Sequence, residues 1–285
     1  MTLLERIEED LKERLDGKEI SKLVALNPLA HFSTRGMPGY FTGNRDAQTV
    51  FVHLNPGLNA DIADKRWDFE TKYFDKTSIR NFVNDYIESR KNYGKNDRMR
   101  YDPFDVKQAA FLYDWPNSDI SFSKPIDWTC KDKNDLAEKK ETSWLDAKEH
   151  VLMDKLQLEL IPYASAKFKI NKKNIGLLKE YVDTLLEEIF KKERTYVIFA
   201  SDIFERLFKY YNEYTKTKTF DFCSKEKKEK LKNRNGKCKV IYIHYKNTTQ
   251  KALIAHTFPS QSLSKAFVLM QKYGQICFKE YISHH

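Results

Sequence analysis

Thr49-Val50-Phe51-Val52-His53-Leu54-Asn55-Pro56-Gly57 is the stretch whose pattern decides the fold. Its first six residues are mostly β-branched, aromatic or aliphatic, and the run stops at Asn-Pro-Gly, a strong turn signal. The pattern predicts a short buried strand that delivers a tight turn at its carboxyl end. Leu156 to Tyr163 predicts a second strand, ending at a proline, and Thr195 to Ala200 a third, followed by the helix-capping pair Ser201-Asp202. Val240 to Tyr245 and Ala252 to His256 predict two more, close enough to pair as a hairpin. Leu3, Leu4, Ile7, Leu11 and Leu15 recur at helical spacing before Asp16-Gly17, and further helices are expected over 78–90, 174–192, from Phe204 through Phe208, and over 260–273. Strands alternating with helices imply an α/β fold: a three-layer sandwich with a short, largely parallel central sheet flanked by helices.

Length and charge frame what that fold can do. A chain of 285 residues with 41% hydrophobic residues can bury a real core, and residues 1–285 are read as one domain. The formal charge is +9 with a pI near 9.1. Thirteen basic and four acidic side chains fall between Asp221 and His285, so the whole excess lies in the last quarter. That asymmetry raises the expectation of a nucleic-acid partner. Four cysteines, at 130, 223, 238 and 277, form no CxxC pair, which suits a reducing compartment and no metal. No apolar run approaches the roughly 20 residues that span a bilayer. A soluble cytoplasmic protein without membrane contact is therefore expected.

After the first strand comes a long insertion, 61–150, irregular, polar and rich in aromatics, including Trp67, Trp115, Trp128 and Trp144. Such a stretch reads equally as a small subdomain or as a recognition surface. Ligands of open α/β sheets collect at the carboxyl ends of strands. Here those ends carry Asn55-Pro56-Gly57-Leu58, Pro162-Tyr163 and His256-Thr257-Phe258-Pro259-Ser260. Asn-Pro-Gly makes a serviceable turn anywhere, and a single histidine is commonly structural. The ordered pair, each at a strand end, carries more meaning.

On these segments the chain resembles the uracil-DNA glycosylase superfamily, especially its mismatch-specific branch with an Asn-Pro-Gly motif. Leu54 to Leu58 matches the water-positioning loop and His256 to Ser260 the histidine loop that precedes a helix. Leu158 to Tyr163 and Tyr196 to Ala200 fit the family's second and third strands. The resemblance implies an enzyme that hydrolyses the N-glycosidic bond of a base flipped out of DNA, leaves an abasic site and needs no cofactor. It also implies roles. Asn55 would hold the water and His256 would stabilise the departing base or the phosphates nearby. By their place in the sequence Asp61 and Asp64 follow the same loop and could supply a carboxylate, a solvated loop face being the plainer explanation.

Cleaving that bond develops positive charge on the sugar and negative charge on the base, so a positioned water and a facing donor are what the chemistry requires. Gly57 and Leu58 would line the base. Glu159 falls where uracil-specific members place an asparagine; an ionised glutamate only accepts, which suits the N4 amine of a cytosine-like base. The alternative is that Glu159 faces a helix or an ion pair. Tyr163 is placed either to stack on a flipped base or to pack in the core. Ser260, Gln261, Ser262 and Lys265 open the last helix and could hold a phosphate or simply cap it. Lys227, Lys228 and Lys230, within the basic segment 225–239 and its glycine turn, could clamp the DNA backbone or form a solvated loop.

One extension is defence against viruses whose DNA carries modified cytosine. The competing expectations are a catalytically inactive nucleic-acid-binding protein of this fold, and a nucleoside-processing α/β hydrolase. No glycine-rich dinucleotide or P-loop motif is present in the sequence.

Overall fold

A computed structural model describes residues 1–34, 36–57, 67–92, 103–118, 155–165, 168–214, 219–222, 227–231, 234–258 and 267–284. It is a mixed α/β fold. The helices are α1 (Leu3–Leu15), α2 (Leu23–Leu26), α3 (Ile79–Lys91), α4 (Pro103–Leu112), α5 (Lys179–Ile189), α6 (Ile203–Tyr214) and α7 (Phe267–Ile282). The strands are β1 (Phe41–Gly43), β2 (Thr49–His53), β3 (Lys155–Glu159), β4 (Tyr196–Phe199), β5 (Thr219–Phe222), β6 (Lys227–Leu231), β7 (Arg234–Tyr245) and β8 (Thr248–Ala255). The chain groups into two compact units. One draws on Met1–Thr42, Val52–Lys91 and Gln157–Lys191, the other on Gly43–Phe51, Asn92–Leu156 and Lys192–His285.

In the first unit, α1 begins with a reciprocal cap. The Glu5 amide donates to Thr2 Oγ1 at 3.2 Å, and the Thr2 amide donates to Glu5 Oε2 at 2.7 Å. Two of the amides left orphaned at a helix start are thereby satisfied. The helix buries Leu3, Ile7 and Leu11 and packs against α3 and α5. The chain leaving β3 stays paired with its neighbours, because the Leu160 amide donates to His53 O at 2.8 Å and the Ile161 amide to Leu54 O at 2.9 Å. This pairing fixes where the Asn-Pro-Gly turn stands.

In the second unit the strands run in the order β4-β8-β7-β5, with β6 also on β7. β4 and β8 are parallel, whereas β7 is antiparallel to β5, β6 and β8. The expected hairpin forms as β7 and β8. Within the basic segment the described residues pair as strands: Lys228 stands opposite Lys237 and Lys230 opposite Asn235 in the β6/β7 register. These antiparallel partners make the ladder less parallel than the sequence pattern suggests. The reason is local, since a short turn can join only antiparallel neighbours.

Part of the expected insertion belongs to the core. Phe111 on α4 and Trp115 just beyond it are buried in a cluster with Phe51, Tyr196, Phe258, Met270 and Tyr273. Trp115 Nε1 donates to Gly274 O at 3.0 Å, satisfying the indole that burial would otherwise strand. Residues 119–154 lie outside the described residues. The second expected strand is shorter, ending at Glu159, and the helix after Asn174 starts with a 3-10 turn, Ile175–Leu178. The last helix runs on to Ile282.

Candidate functional site

Asn55 follows β2 directly, and its side chain ties two loops together. Asn55 Nδ2 donates to Ser165 Oγ at 2.9 Å, to Pro56 O at 3.1 Å and to Tyr163 O at 3.5 Å. The Ser165 amide donates back to Pro56 O at 3.2 Å. Donors directed at carbonyl and hydroxyl oxygens fix the orientation of the amide group, because its NH2 end has the partners and its carbonyl end does not. Among the described residues Oδ1 has no bonded partner, which leaves an acceptor at the strand end. Gly57 is exposed, and a Cβ there would meet nothing within 4 Å. Leu58, Asp61 and Asp64 lie outside the described residues.

Two expectations for the second strand are corrected. Tyr163 is 2% exposed, its ring stands edge-on to Phe32, and its hydroxyl donates to Asp10 Oδ2. A ring enclosed in that way packs the core and is no platform for a base. Glu159 lines a small pocket with Arg6 of α1 and Tyr181, Thr184 and Glu188 of α5, and its Oε1 accepts from Gln157 Nε2 at 2.8 Å. The helix-facing alternative is the observed one. A one-residue change of register reverses which face of a strand a side chain occupies, so the segment match could not fix this.

Asp10 is the residue that this packing reveals. It is 1% exposed and accepts from Tyr40 Oη at 2.6 Å as well as from Tyr163. Burial raises its pKa, opposed by the hydrogen bonds of Tyr163 and Tyr40 and by the charges of Lys22 and Arg6. Replacing Tyr163 with phenylalanine removes one donor from a buried carboxyl, and the expected cost is about 1–3 kcal/mol of stability. Urea unfolding of Tyr163→Phe reads this directly; an unchanged midpoint would show that the hydroxyl does not support Asp10.

In the second unit, His256 follows β8 in a turn held on three sides. The His256 amide donates to Lys237 O at 3.2 Å, the Lys237 amide to Thr257 Oγ1 at 3.1 Å, and the Thr257 amide to Tyr273 Oη at 3.0 Å. Tyr273 Oη in turn donates to Lys237 O. His256 Nε2 lies 3.2 Å from Glu205 Oε2 on α6, with the two side chains 7% and 17% exposed. Glu205 Oε1 accepts from Lys209 Nζ at 2.6 Å and from Lys239 Nζ at 2.8 Å. The sequence alone presents Glu205 only as half of a Glu-Lys pair one helical turn apart, so β7's Lys239 and the histidine are what single it out.

Burial acts to raise the Glu205 pKa, but the hydrogen bonds and charges of Lys209 and Lys239 outweigh it and pull the value down to about 2. A carboxyl depressed below its ordinary 4.5 stabilises the fold fully above that value and loses its contribution as pH falls toward 2. Unfolding free energies of the parent and Glu205→Gln should therefore differ at pH 6 and converge as the pH is lowered through that window. A difference that is the same at both ends would disprove the linkage.

The expected DNA contacts are only partly placed. Lys227, Lys228 and Lys230 have backbone positions on β6, while Ser260, Gln261, Ser262 and Lys265 lie outside the described residues. Among the described residues no group of three or more His, Cys, Asp or Glu side chains is arranged to hold a metal ion. None of the described helices is long and apolar enough to cross a membrane. No protein-family model, curated protein or solved structure matches the chain.

Proposed function

We propose that this protein is a DNA glycosylase with a three-layer α/β architecture, hydrolysing the N-glycosidic bond of a flipped-out damaged or modified base. The supporting observation is the fixed amide of Asn55: its NH2 group is held by Ser165 Oγ and neighbouring carbonyls, which leaves Oδ1 as an oriented acceptor at the end of β2. A water accepted there donates one proton to Oδ1 and presents its oxygen lone pair. In the reaction the C1′–N bond breaks with its electron pair passing to the base, the water oxygen bonds to C1′, and the water's proton ends on the released base or in bulk solvent. Asparagine cannot take that proton as a strong base, so its task is placement of the water rather than deprotonation. His256 would offset the charge on the departing base.

The base is proposed to be cytosine-like or otherwise modified, although the placement of Glu159 beside α1 and α5 removes the residue that argued for it. A role against viruses with modified DNA is the corresponding biological proposal. Incubation with DNAs carrying normal, deaminated and modified cytosines, followed by detection of abasic sites and identification of the released base, tests the activity. Release of a free base from at least one DNA is the expected result. Retention of every base, with DNA still bound, would favour the non-catalytic binding protein; turnover of free nucleosides alone would favour the nucleoside hydrolase.

A further inference from the structure

His256 has a carboxylate at its edge that the loop resemblance does not supply. Nε2 lies 3.2 Å from Glu205 Oε2, while the other oxygen of that carboxylate is held by Lys209 and Lys239. These bonds come from two elements, α6 and β7, so the carboxylate cannot swing away without breaking one of them. The backbone of His256 is fixed separately through Lys237 O. The carboxylate and the His256 backbone are thus each anchored by groups other than one another.

We propose that Glu205 is the positioning residue of His256, its carboxylate 3.2 Å from Nε2 favouring the charged imidazole. Among the described residues, the titratable and charged groups around this edge are Glu205 and Lys209 on α6, Lys237 and Lys239 on β7, and Tyr273 on α7. Burial first, and then the Cys277 and Cys238 thiols, raise the Tyr273 pKa well above its ordinary value, so the phenol stays neutral. The lysines disfavour a further positive charge, and among these groups the ionised carboxylate favours it. Removing its charge must therefore shift the imidazole toward the neutral form. The contribution to base departure rests on the glycosylase proposal; the coupling between Glu205 and His256 does not. A charged imidazole facing a base would offset the negative charge that the base acquires, with no proton leaving Glu205.

The test is an NMR titration of the His256 ring in the parent, Glu205→Gln and Glu205→Asp proteins, together with the pH profile of base release on any DNA that responds. The His256 pKa is expected to fall by about one unit or more in Glu205→Gln and to be partly restored in Glu205→Asp. An identical His256 titration in the parent and Glu205→Gln overturns the proposal. Should the glutamine variant not fold, Glu205→Asp decides: a His256 titration shifted from the parent's supports the pairing, and an identical one overturns it. A shifted titration with no DNA releasing a base upholds the pairing and sinks the glycosylase reading. Base release with the same pH profile in parent and Glu205→Gln upholds the glycosylase and overturns the contribution of the pairing to base departure.

Discussion

Gly274→Ala lowers stability by about 3 kcal/mol, at the upper end of what overpacking costs. In an ordinary helix the same change would stabilise, because glycine in a helix interior is about 1 kcal/mol worse than alanine. Here the sign reverses. A Cβ at Gly274 would stand 1.8 Å from Phe111 O and 2.7 Å from its carbonyl carbon. Both are backbone atoms of α4, so no side chain can rotate aside and the two helices must separate. Separation would also pull Gly274 O from Trp115 Nε1 and loosen Phe111 against Tyr273, whose ring centroids are 5.6 Å apart. Urea denaturation should show the midpoint dropping sharply for Gly274→Ala, and little change for Gly57→Ala, where the added methyl meets open space. A Gly274→Ala protein as stable as the parent would mean that α4 and α7 do not meet this closely.

Asn55→Ala is expected to slow base release by about 100- to 1,000-fold, on the scale of losing one oriented polar group from a transition state. The substitution removes Oδ1 together with the NH2 group that joins the Asn55 turn to Ser165. Ser165→Ala separates the two effects. It leaves Oδ1 in place and deletes only the 2.9 Å hydrogen bond that orients the amide. One such bond has a net value of about 1 kcal/mol, so a loss of roughly fivefold is anticipated. Binding to DNA should survive both changes. An Asn55→Ala protein that released base at the parent rate would end the water-positioning role, and equal losses in the two variants would trace the effect to loop geometry instead.

The elements with a helical apolar period or a short apolar run bounded by a turn were legible from the sequence. α1 is marked by leucines at helical spacing and a glycine stop, β2 by its apolar run and the turn after it, and the β7/β8 hairpin by two apolar runs around a polar turn. α4 was hidden for the opposite reason. Lys107, Gln108, Ala109, Ala110, Phe111 and Leu112 are all buried, and a helix enclosed on every side shows no one-faced period. β6 was hidden by composition, since lysine is a poor strand former, although charge on an edge strand guards against unwanted pairing. Among the candidate residues, Asn55 and His256 could be found because each follows a strand. Asp10 and Glu205 could not, because each sits on a charged-looking helix and acquires its meaning from Tyr40, Tyr163, Lys239 and His256, partners distant in sequence.

The arrangement of the last strands also bears on how the chain acquires its structure. β5 to β8 follow one another in sequence, and β7 collects β5, β6 and β8 through antiparallel pairing. Closing such short loops costs little chain entropy, so this ribbon can form early. The parallel match of Ile198 with Leu253 and Phe199 with Ile254 must close the whole intervening segment at once. β4 is therefore expected to join β8 late in folding. Substitutions along the β7/β8 ribbon should slow folding, while those at Ile198 should mainly hasten unfolding.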